Sequence, residues 1–509
     1  MKKFLKLVGF DAEKKQTTVK TEIVAGIVTF LAMAYILTVN PNQIFYAGTE
    51  AGAKWSSLFM ATAFGAVIGT LLMAFLAKMP LAQASGMGLN SLVGSIIGGG
   101  IGFYAYGFEF TIGQAFMMVL ISGIVFLLLS LIKIKGKTFR ELVFDGMPVA
   151  VRGAISVGIG LFIAYIGFQG AGVIVANQYT QVALADFTSW ENGAAQSACV
   201  ALIGLFLIAI LDKFKVKGSV ILGILGATVI GIPMGVTNIE VITGSTSGIS
   251  WKFWENYADF FSVGDDSVFG SFTDVFKTGF PAGSLFTVIM LIITMCMIDM
   301  FDTMGTIVGC CGGNRILSDE NNKPHNYGKI MISDAIATCT GAMLGTSTVT
   351  TFVESGSGVS AGGRTGLTAF TTACLFLLAT FALPLFAVIP SAATAAALIY
   401  VGVLMMKNNV KSIDFSNAIN AVSAFLTIVI MVLAYSITKG IGVGMVSYTV
   451  MSLVAYLVEL IVYACKKDKT TVNEDGETVA MEKPKFNVSI VAIVVTVLFL
   501  VYFFVPTTL

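Results

Sequence analysis

Long apolar runs separated by short polar segments dominate the hydrophobic pattern of this chain. An apolar run of about 20 residues is long enough to cross a bilayer as a helix. In the first half we predict spans near residues 23–40, 56–78, 82–100, 112–133, 147–170, 196–213 and 218–234. In the second half we predict spans near residues 284–309, 329–345, 347–362, 365–388, 390–406, 418–436 and 440–464, followed by a terminal run at 486–507.

Composition supports a membrane protein. The chain has 509 residues, of which 56% are hydrophobic and 12% charged, too little polar surface to cover a soluble protein of this size. We therefore predict an all-α polytopic membrane protein with about 14 spans in contact with lipid. The net charge of +1 provides no basic field for nucleic acid, so we expect no nucleic-acid partner.

Basic residues predict the orientation, because short cytoplasmic loops carry an excess of Lys and Arg. The N-terminal segment holds six lysines: Lys2, Lys3, Lys6, Lys14, Lys15 and Lys20. The first apolar run is too long and too far from the terminus to resemble a cleaved signal peptide. We expect a multi-pass protein of the cell (inner or plasma) membrane with a cytoplasmic N-terminus.

Small and hydroxylated residues interrupt the apolar pattern at 341–368, GAMLGTSTVTTFVESGSGVSAGGRTGLT. Gly, Ser and Thr loosen a helix or compete for its backbone hydrogen bonds, so this composition indicates a broken span. Freed backbone groups at membrane depth bind ligands. The segment encloses one acid, Glu354, whose insertion into a bilayer costs about 2.5 to 3.5 kcal/mol, which favours a functional role.

A related motif occurs 270 residues earlier. Residues 85–90 read SGMGLN and residues 355–360 read SGSGVS, and the same offset superimposes neighbouring spans. Two halves of seven spans, an odd number, lie inverted in the membrane, and paired Gly-interrupted segments indicate a transport site. We expect each segment to be a short extended stretch followed by a half-helix, with both helix N-termini offering amides to a substrate.

Three further acids lie in or near predicted spans. Asp299 and Asp302 are spaced i, i+3, so we expect them on one helix face that lines the cavity. Asp299 could instead bond a neighbouring span, and Asp334 could be either a functional acid or a helix N-cap. Such carboxylates can exchange a proton and accept N–H donors from a planar heterocycle. Two aromatic residues of the first span, Phe30 and Tyr35, are interpreted as lipid or core contacts.

Four stretches carry a family resemblance: TEIVAGIVTFLAMAYILTVNP at 21–41, QASGMGLNS at 83–91, FDTMGT at 301–306 and GTSTVTTFVESGSGVSAGGRTGLTA at 345–369. The chain resembles the AzgA-like branch of the nucleobase/cation symporters, which are permeases for adenine, guanine and hypoxanthine. The resemblance implies two inverted seven-span repeats, core and gate domains, and a homodimer. It implies binding of the base by Asp302 and Glu354. The further substrate-binding candidates are Ser355, Phe301, Met87, Gly88 and Thr303, while Asp299 and Asp334 are candidates for proton coupling or a structural role.

The predicted organisation follows from the repeat and the resemblance. Residues 1–234 form the first repeat, with core spans 1–4 and gate spans 5–7, and residues 284–464 form the second, with core spans 8–11 and gate spans 12–14. Three further segments are an outside loop at 235–283, a polar cytoplasmic insert at 465–485 and a terminal hydrophobic helix at 486–509.

The predicted function is secondary active import of hypoxanthine, guanine or adenine by proton symport, with the core moving against the gate. The alternative is a uracil, xanthine, urate or other small-solute carrier of the same fold, and sodium remains open as the coupling ion. The acids disfavour an anion carrier. An intramembrane protease is disfavoured because it needs two aspartates on separate helices. An ATP-driven pump is disfavoured because the sequence contains no phosphate-binding loop. We expect no enzyme, no catalytic residue, no metal and no cofactor.

Overall fold

The computed structural model describes residues 2–44, 53–97, 110–134, 137–138, 146–188, 190, 194–216, 218–240, 251–261, 275–276, 278–311, 316–318, 324–465, 470–472, 478–480, 483–486 and 488–504. In this part of the chain, seven helical segments are long and apolar enough to cross a membrane, and six shorter apolar helices accompany them. The all-α polytopic class is confirmed.

The helices of the first half follow the predicted apolar runs closely. They are α1 (Lys2–Leu7), α2 (Ala12–Lys15), α3 (Val19–Met33), α4 (Ile36–Ile44), α5 (Ala53–Leu72), α6 (Met87–Ile96), α7 (Ile112–Leu131), α8 (Val149–Gly170), α9 (Ala194–Lys213), α10 (Ser219–Gly231) and α11 (Phe253–Phe260). A π-helical turn, Met73–Ala77, extends α5. The short helix α11 lies within the predicted outside loop.

The second half is also helical. Its helices are α12 (Leu285–Cys311), α13 (Tyr327–Leu344), α14 (Ser355–Ser360), α15 (Gly366–Ala379), α16 (Leu383–Ala387), α17 (Ser391–Asn409), α18 (Ala418–Leu433), α19 (Ile437–Cys465) and α20 (Ile490–Phe504). Two 3-10 turns, Thr380–Ala382 and Val410–Ser412, follow α15 and α17.

Two short strands join distant parts of the chain. Strand β1 (Gln83–Ser85) pairs antiparallel with β6 (Val349–Thr351), with Ala84 opposite Thr350, and all six residues are buried. This pairing satisfies backbone groups that would otherwise be unpaired at membrane depth. Each strand precedes a short helix, α6 or α14, which confirms the predicted extended stretches and half-helices.

The remaining described strands form local hairpins. They are β2 (Lys133–Ile134) with β3 (Lys137–Thr138), β4 (Ile174–Asn177) with β5 (Gln181–Leu184), and β7 (Thr470–Val472) with β8 (Thr478–Ala480). The β7–β8 hairpin lies in the predicted polar insert.

The first predicted span is interrupted rather than continuous. Helix α3 ends at Met33 and α4 begins at Ile36. Across the interruption, the amides of Leu37 and Thr38 bond the carbonyls three residues earlier, at 3.2 and 3.1 Å. Pro41 lies inside α4 and does not end it. Tyr35 lies in the interruption between the two helices.

The chain contains two compact units. The first is built chiefly from Met1–Phe139 and Gly160–Met405, and the second from Arg140–Ile159 and Met406–Pro506. Within the first, α3 packs against α14 and α15, and α13 packs against α5 and α7. Within the second, α18 packs against α19, and Ala154, Val157 and Ala424 belong to a small apolar cluster. The assignment of spans to core and gate stays a prediction.

Candidate functional site

Glu354 lies between β6 and the first residue of α14. Its side chain is 7% exposed, and its Oε1 accepts a hydrogen bond of 2.5 Å from the hydroxyl of Tyr35. The other carboxylate oxygen, Oε2, is buried and has no hydrogen-bond partner among the described residues. A buried oxygen without a partner costs about 1 to 3 kcal/mol. Glu354 therefore holds an acceptor that a ligand N–H or a proton can satisfy.

Tyr35 connects three parts of the site. It lies in the interruption between α3 and α4, is 1% exposed, and its hydroxyl is also 3.8 Å from the sulfur of Met87. Met87 is the first residue of α6. The interpretation of Tyr35 as a core contact therefore missed its polar role. No spacing rule links Tyr35 to Glu354, which is 319 residues away.

Asp302 is half-buried on α12, the helix that packs against both α6 and α14. Its carboxyl group interacts electrostatically with Glu354. It makes no side-chain hydrogen bond to another described residue. The structure thus brings together the two acids predicted to bind substrate. The side chain of the neighbouring Phe301 lies outside the described part of the structure.

The other two acids hold helices together. The hydroxyl of Thr338 donates to Asp299 Oδ2 at 3.2 Å, which links α12 to α13. Asp334 Oδ1 accepts from Gln83 Nε2 at 2.9 Å, and its Oδ2 accepts from the hydroxyl of Thr303 at 2.8 Å. These bonds favour the structural alternative for Asp299 and Asp334. The hydroxyl of Thr303 is therefore bonded to Asp334.

One expectation about these acids needs correction, and another stays a prediction. Asp299 is 1% exposed and accepts a hydrogen bond from α13, whereas Asp302 is half-buried, and the prediction that both line one cavity remains untested. Positions i and i+3 differ by about 60° around a helix, enough to contact different neighbours. Asp334 lies inside α13, which begins at Tyr327 after the cap residue Asn326. It is therefore not an N-cap.

The two half-helix N-termini differ. The amides of Met87 and Gly88 open α6, and the first amides of a helix have no intrahelical acceptor. At α14, by contrast, the amides of Ser355 and Gly356 bond the carbonyls three residues earlier, at 3.1 and 3.0 Å. The expectation that both termini offer free amides is wrong for α14, because the tight turn after β6 uses its amides locally.

Ser355 serves the scaffold through its side chain. Its hydroxyl accepts from the amide of Ala82 at 3.0 Å, just before β1. The side chain is fully buried. Ser355 therefore fixes the start of α14 beside the strand pair and leaves no hydroxyl directed to a ligand.

A network of hydroxyl and amide groups surrounds the strand pair. Ser85 Oγ lies 2.8 Å from Ser347 Oγ and donates to Asn90 Oδ1 at 2.9 Å. Asn40 Nδ2 donates to the hydroxyls of Thr62 and Thr346 at 2.7 and 2.9 Å. Sequence reasoning missed the contribution of Asn40 and Asn90. Asn90 lies within the SGMGLN motif, which is the signal that could have identified it.

A fourth buried carboxylate, Glu22, was also missed. Glu22 Oε1 accepts from the amide of Arg364 at 2.9 Å, and Oε2 accepts from the amide of Thr365 at 3.3 Å and the hydroxyl of Thr368 at 2.5 Å. Both oxygens have partners, unlike those of Glu354. Glu22 therefore caps the start of α15 from α3, and its place in the first matched stretch was the available signal.

Comparison with known proteins assigns the family. The family model described as Permease family (Xan_ur_permease) matches residues 20–443. This chain belongs to the Permease family. The permease is 34% identical to the adenine permease AdeP of Escherichia coli (strain K12), over 87% of this chain and 89% of the relative. It is also 34% identical to the guanine/hypoxanthine permease PbuG of Bacillus subtilis (strain 168), over 87% and 92% of the two chains.

Solved structures share the fold. The transmembrane domain of the cyanobacterial bicarbonate transporter BicA matches with a TM-score of 0.56 and 15% identity, covering 86% of this chain and 98% of that chain. This likeness concerns the fold alone. The family and its permease-named relatives establish that the chain is a multi-pass membrane transporter and not an enzyme. The predicted family resemblance is confirmed.

Proposed function

We propose that this permease imports purine nucleobases (hypoxanthine, guanine or adenine) across the cell membrane. The relatives named as adenine and guanine/hypoxanthine permeases support this substrate class. In the proposal the N-terminus is cytoplasmic, the protein acts as a homodimer, and the core spans move against the gate spans during transport.

The observation that carries the proposal is Oε2 of Glu354, which has no hydrogen-bond partner in the part of the chain that the structure describes. A nucleobase is a planar heterocycle whose edge presents N–H donors, and a carboxylate oxygen is a strong acceptor for such a donor. Asp302 supplies a second, half-buried carboxyl group nearby. The opening amides of α6, at Met87 and Gly88, can donate to a ring nitrogen or carbonyl oxygen of the same base.

Proton coupling fits the same pair of acids. Asp302 and Glu354 interact electrostatically, and two neighbouring carboxyl groups in a low-dielectric site disfavour the doubly charged state. Binding of one proton relieves that repulsion while the other carboxylate keeps its acceptors for the base. We therefore propose a proton as the coupling ion.

Purified permease in proteoliposomes tests substrate and coupling together. Uptake of radiolabelled hypoxanthine is measured with an imposed pH gradient, with a sodium gradient or with neither, and unlabelled guanine, adenine, uracil, xanthine, urate and bicarbonate compete. The proposal predicts accumulation driven by the pH gradient and competition by purines. Accumulation driven by sodium alone refutes the coupling ion. Competition only by uracil, xanthine, urate or bicarbonate refutes the substrate class.

A further inference from the structure

Tyr35 controls how Glu354 presents its oxygens. The phenol has one hydrogen to donate, and its two nearby acceptors are a carboxylate oxygen at 2.5 Å and a thioether sulfur at 3.8 Å. A charged oxygen is a much stronger acceptor than a thioether. The hydrogen therefore belongs to Glu354 Oε1, and the sulfur of Met87 only packs against the hydroxyl.

The location of Tyr35 makes this contact rigid. Tyr35 is 1% exposed and lies where α3 gives way to α4. Its carbonyl accepts from the amides of Thr38 and Val39 at 3.1 and 3.0 Å. A phenol ring has few rotatable bonds, so a packed backbone on one side and Met87 on the other determine where the hydroxyl lies.

We infer that Tyr35 is a positioning and specificity-determining residue for the substrate site. By donating to Oε1 it takes one acceptor position of that oxygen and holds Glu354 so that Oε2, which has no partner among the described residues, is the main acceptor for a ligand N–H. This inference rests on the proposed nucleobase function. Neither the family assignment nor the relatives' names assign Tyr35 a role.

The inference makes a chemical distinction between two bases. Hypoxanthine presents a single N–H, at N1, on the edge of its six-membered ring, whereas guanine presents N1–H together with the adjacent exocyclic amine. Glu354 accepts one N–H of either base at Oε2, and a second N–H would have to share Oε1 with the phenol of Tyr35, which disfavours it. In Tyr35→Phe this competition is removed, and guanine can form two parallel hydrogen bonds with the carboxylate.

The test is equilibrium binding of radiolabelled hypoxanthine and guanine to the purified wild-type protein and to Tyr35→Phe. Each Kd is calculated with the concentration of folded protein. Loss of positioning is expected to weaken hypoxanthine binding about tenfold, while the additional hydrogen bond compensates guanine, so the ratio of the two Kd values moves about tenfold toward guanine. Tyr257→Phe is the matched control, since it removes a hydroxyl that bonds Thr380 at 2.7 Å on the α11 segment.

A structural role for Tyr35 would produce a different pattern. If the Tyr35–Glu354 hydrogen bond served only the fold, Tyr35→Phe would lower the apparent melting temperature and leave the ratio of the two Kd values unchanged, and that result overturns the inference. An unchanged Kd for both bases overturns it as well. Wild type that binds neither base shows instead that the proposed function fails, so the two failures are distinguishable.

The pair can also be tested without ligand. The Tyr35–Glu354 hydrogen bond is present without a base, so a double-mutant cycle of Tyr35→Phe and Glu354→Ala on the apparent melting temperature should be non-additive. Additive effects contradict a direct interaction between the two side chains.

Discussion

Mutation of two buried glutamates should affect different properties, stability in one case and substrate affinity in the other. Both oxygens of Glu22 accept hydrogen bonds, whereas Glu354 keeps one oxygen without a described partner. A carboxylate with every partner in the protein stabilises the fold, and one with an unused acceptor serves a ligand. We predict that substitution of Glu22 lowers stability while substitution of Glu354 lowers substrate affinity.

The structure sets the magnitude for Glu22. In Glu22→Ala, the buried amide of Thr365 and the partly buried amide of Arg364 lose their acceptor, while the hydroxyl of Thr368 retains the carbonyl of Glu22 at 3.2 Å. An unsatisfied buried donor costs about 1 to 3 kcal/mol, so the loss at Thr365 alone should lower the free energy of unfolding by about that amount, and the loss at Arg364 adds to it. Glu22→Gln keeps one acceptor oxygen and should lose about half as much.

Glu354→Gln should behave in the reverse manner. The amide oxygen can still accept from Tyr35, so the free energy of unfolding should change by less than about 1 kcal/mol. The amide nitrogen replaces Oε2 and presents a donor to the N–H of the base. Because a hydrogen bond to a charged group contributes about 1.5 to 3 kcal/mol, hypoxanthine binding should weaken by about tenfold to a hundredfold.

The assay heats detergent-solubilised protein and measures the fraction that remains monodisperse, and equilibrium binding of hypoxanthine is measured below the transition. Glu13→Gln is the control for removal of an acid, because Glu13 is exposed on α2. The reasoning is refuted if Glu22→Ala keeps wild-type stability but loses binding, or if Glu354→Gln melts as early as Glu22→Ala and binds normally.

Two further predictions concern the packing and the network of the first unit. Gly366→Ala should prevent accumulation of folded protein, because the new Cβ would lie 2.2 Å from the carbonyl oxygen of Ala74. The control Gly328→Ala should express normally, because its Cβ would meet nothing within 4 Å. Fluorescence-detected size exclusion measures the yield of both variants, and equal yields would contradict the prediction. Asp334→Asn should cost about 1 to 3 kcal/mol of stability, because its amide would present a donor to Gln83 or Thr303, and unchanged melting with unchanged uptake would show that the network is dispensable.

Apolar run length predicted the spans because the bilayer itself sets that length. The predicted runs at 112–133 and 147–170 correspond to α7 and α8, which are Ile112–Leu131 and Val149–Gly170. The broken segments were also predictable, since the Gly, Ser and Thr content at 83–91 and 345–369 cannot support a regular apolar helix. These signals are local, and they were sufficient for the fold class.

The arrangement of the site depends on contacts that local patterns do not contain. Gln83 bonds Asp334 across 251 positions, and Tyr35 bonds Glu354 across 319. Residue type alone could not distinguish Asp302, which is half-buried, from Asp299, which bonds the next helix. The sequence therefore identified the acids but could not determine which carboxylate oxygens are already occupied.

Uptake of radiolabelled hypoxanthine into cells that lack their own purine permeases tests the central claim most directly, with wild type beside Glu354→Gln and with surface expression of both confirmed. The account predicts saturable uptake by wild type that guanine inhibits, and loss of that uptake in Glu354→Gln at equal expression. Uptake by Glu354→Gln at the wild-type rate would contradict the role of Glu354. If the wild-type protein reaches the membrane but takes up neither hypoxanthine, guanine nor adenine, the proposed substrate class is contradicted.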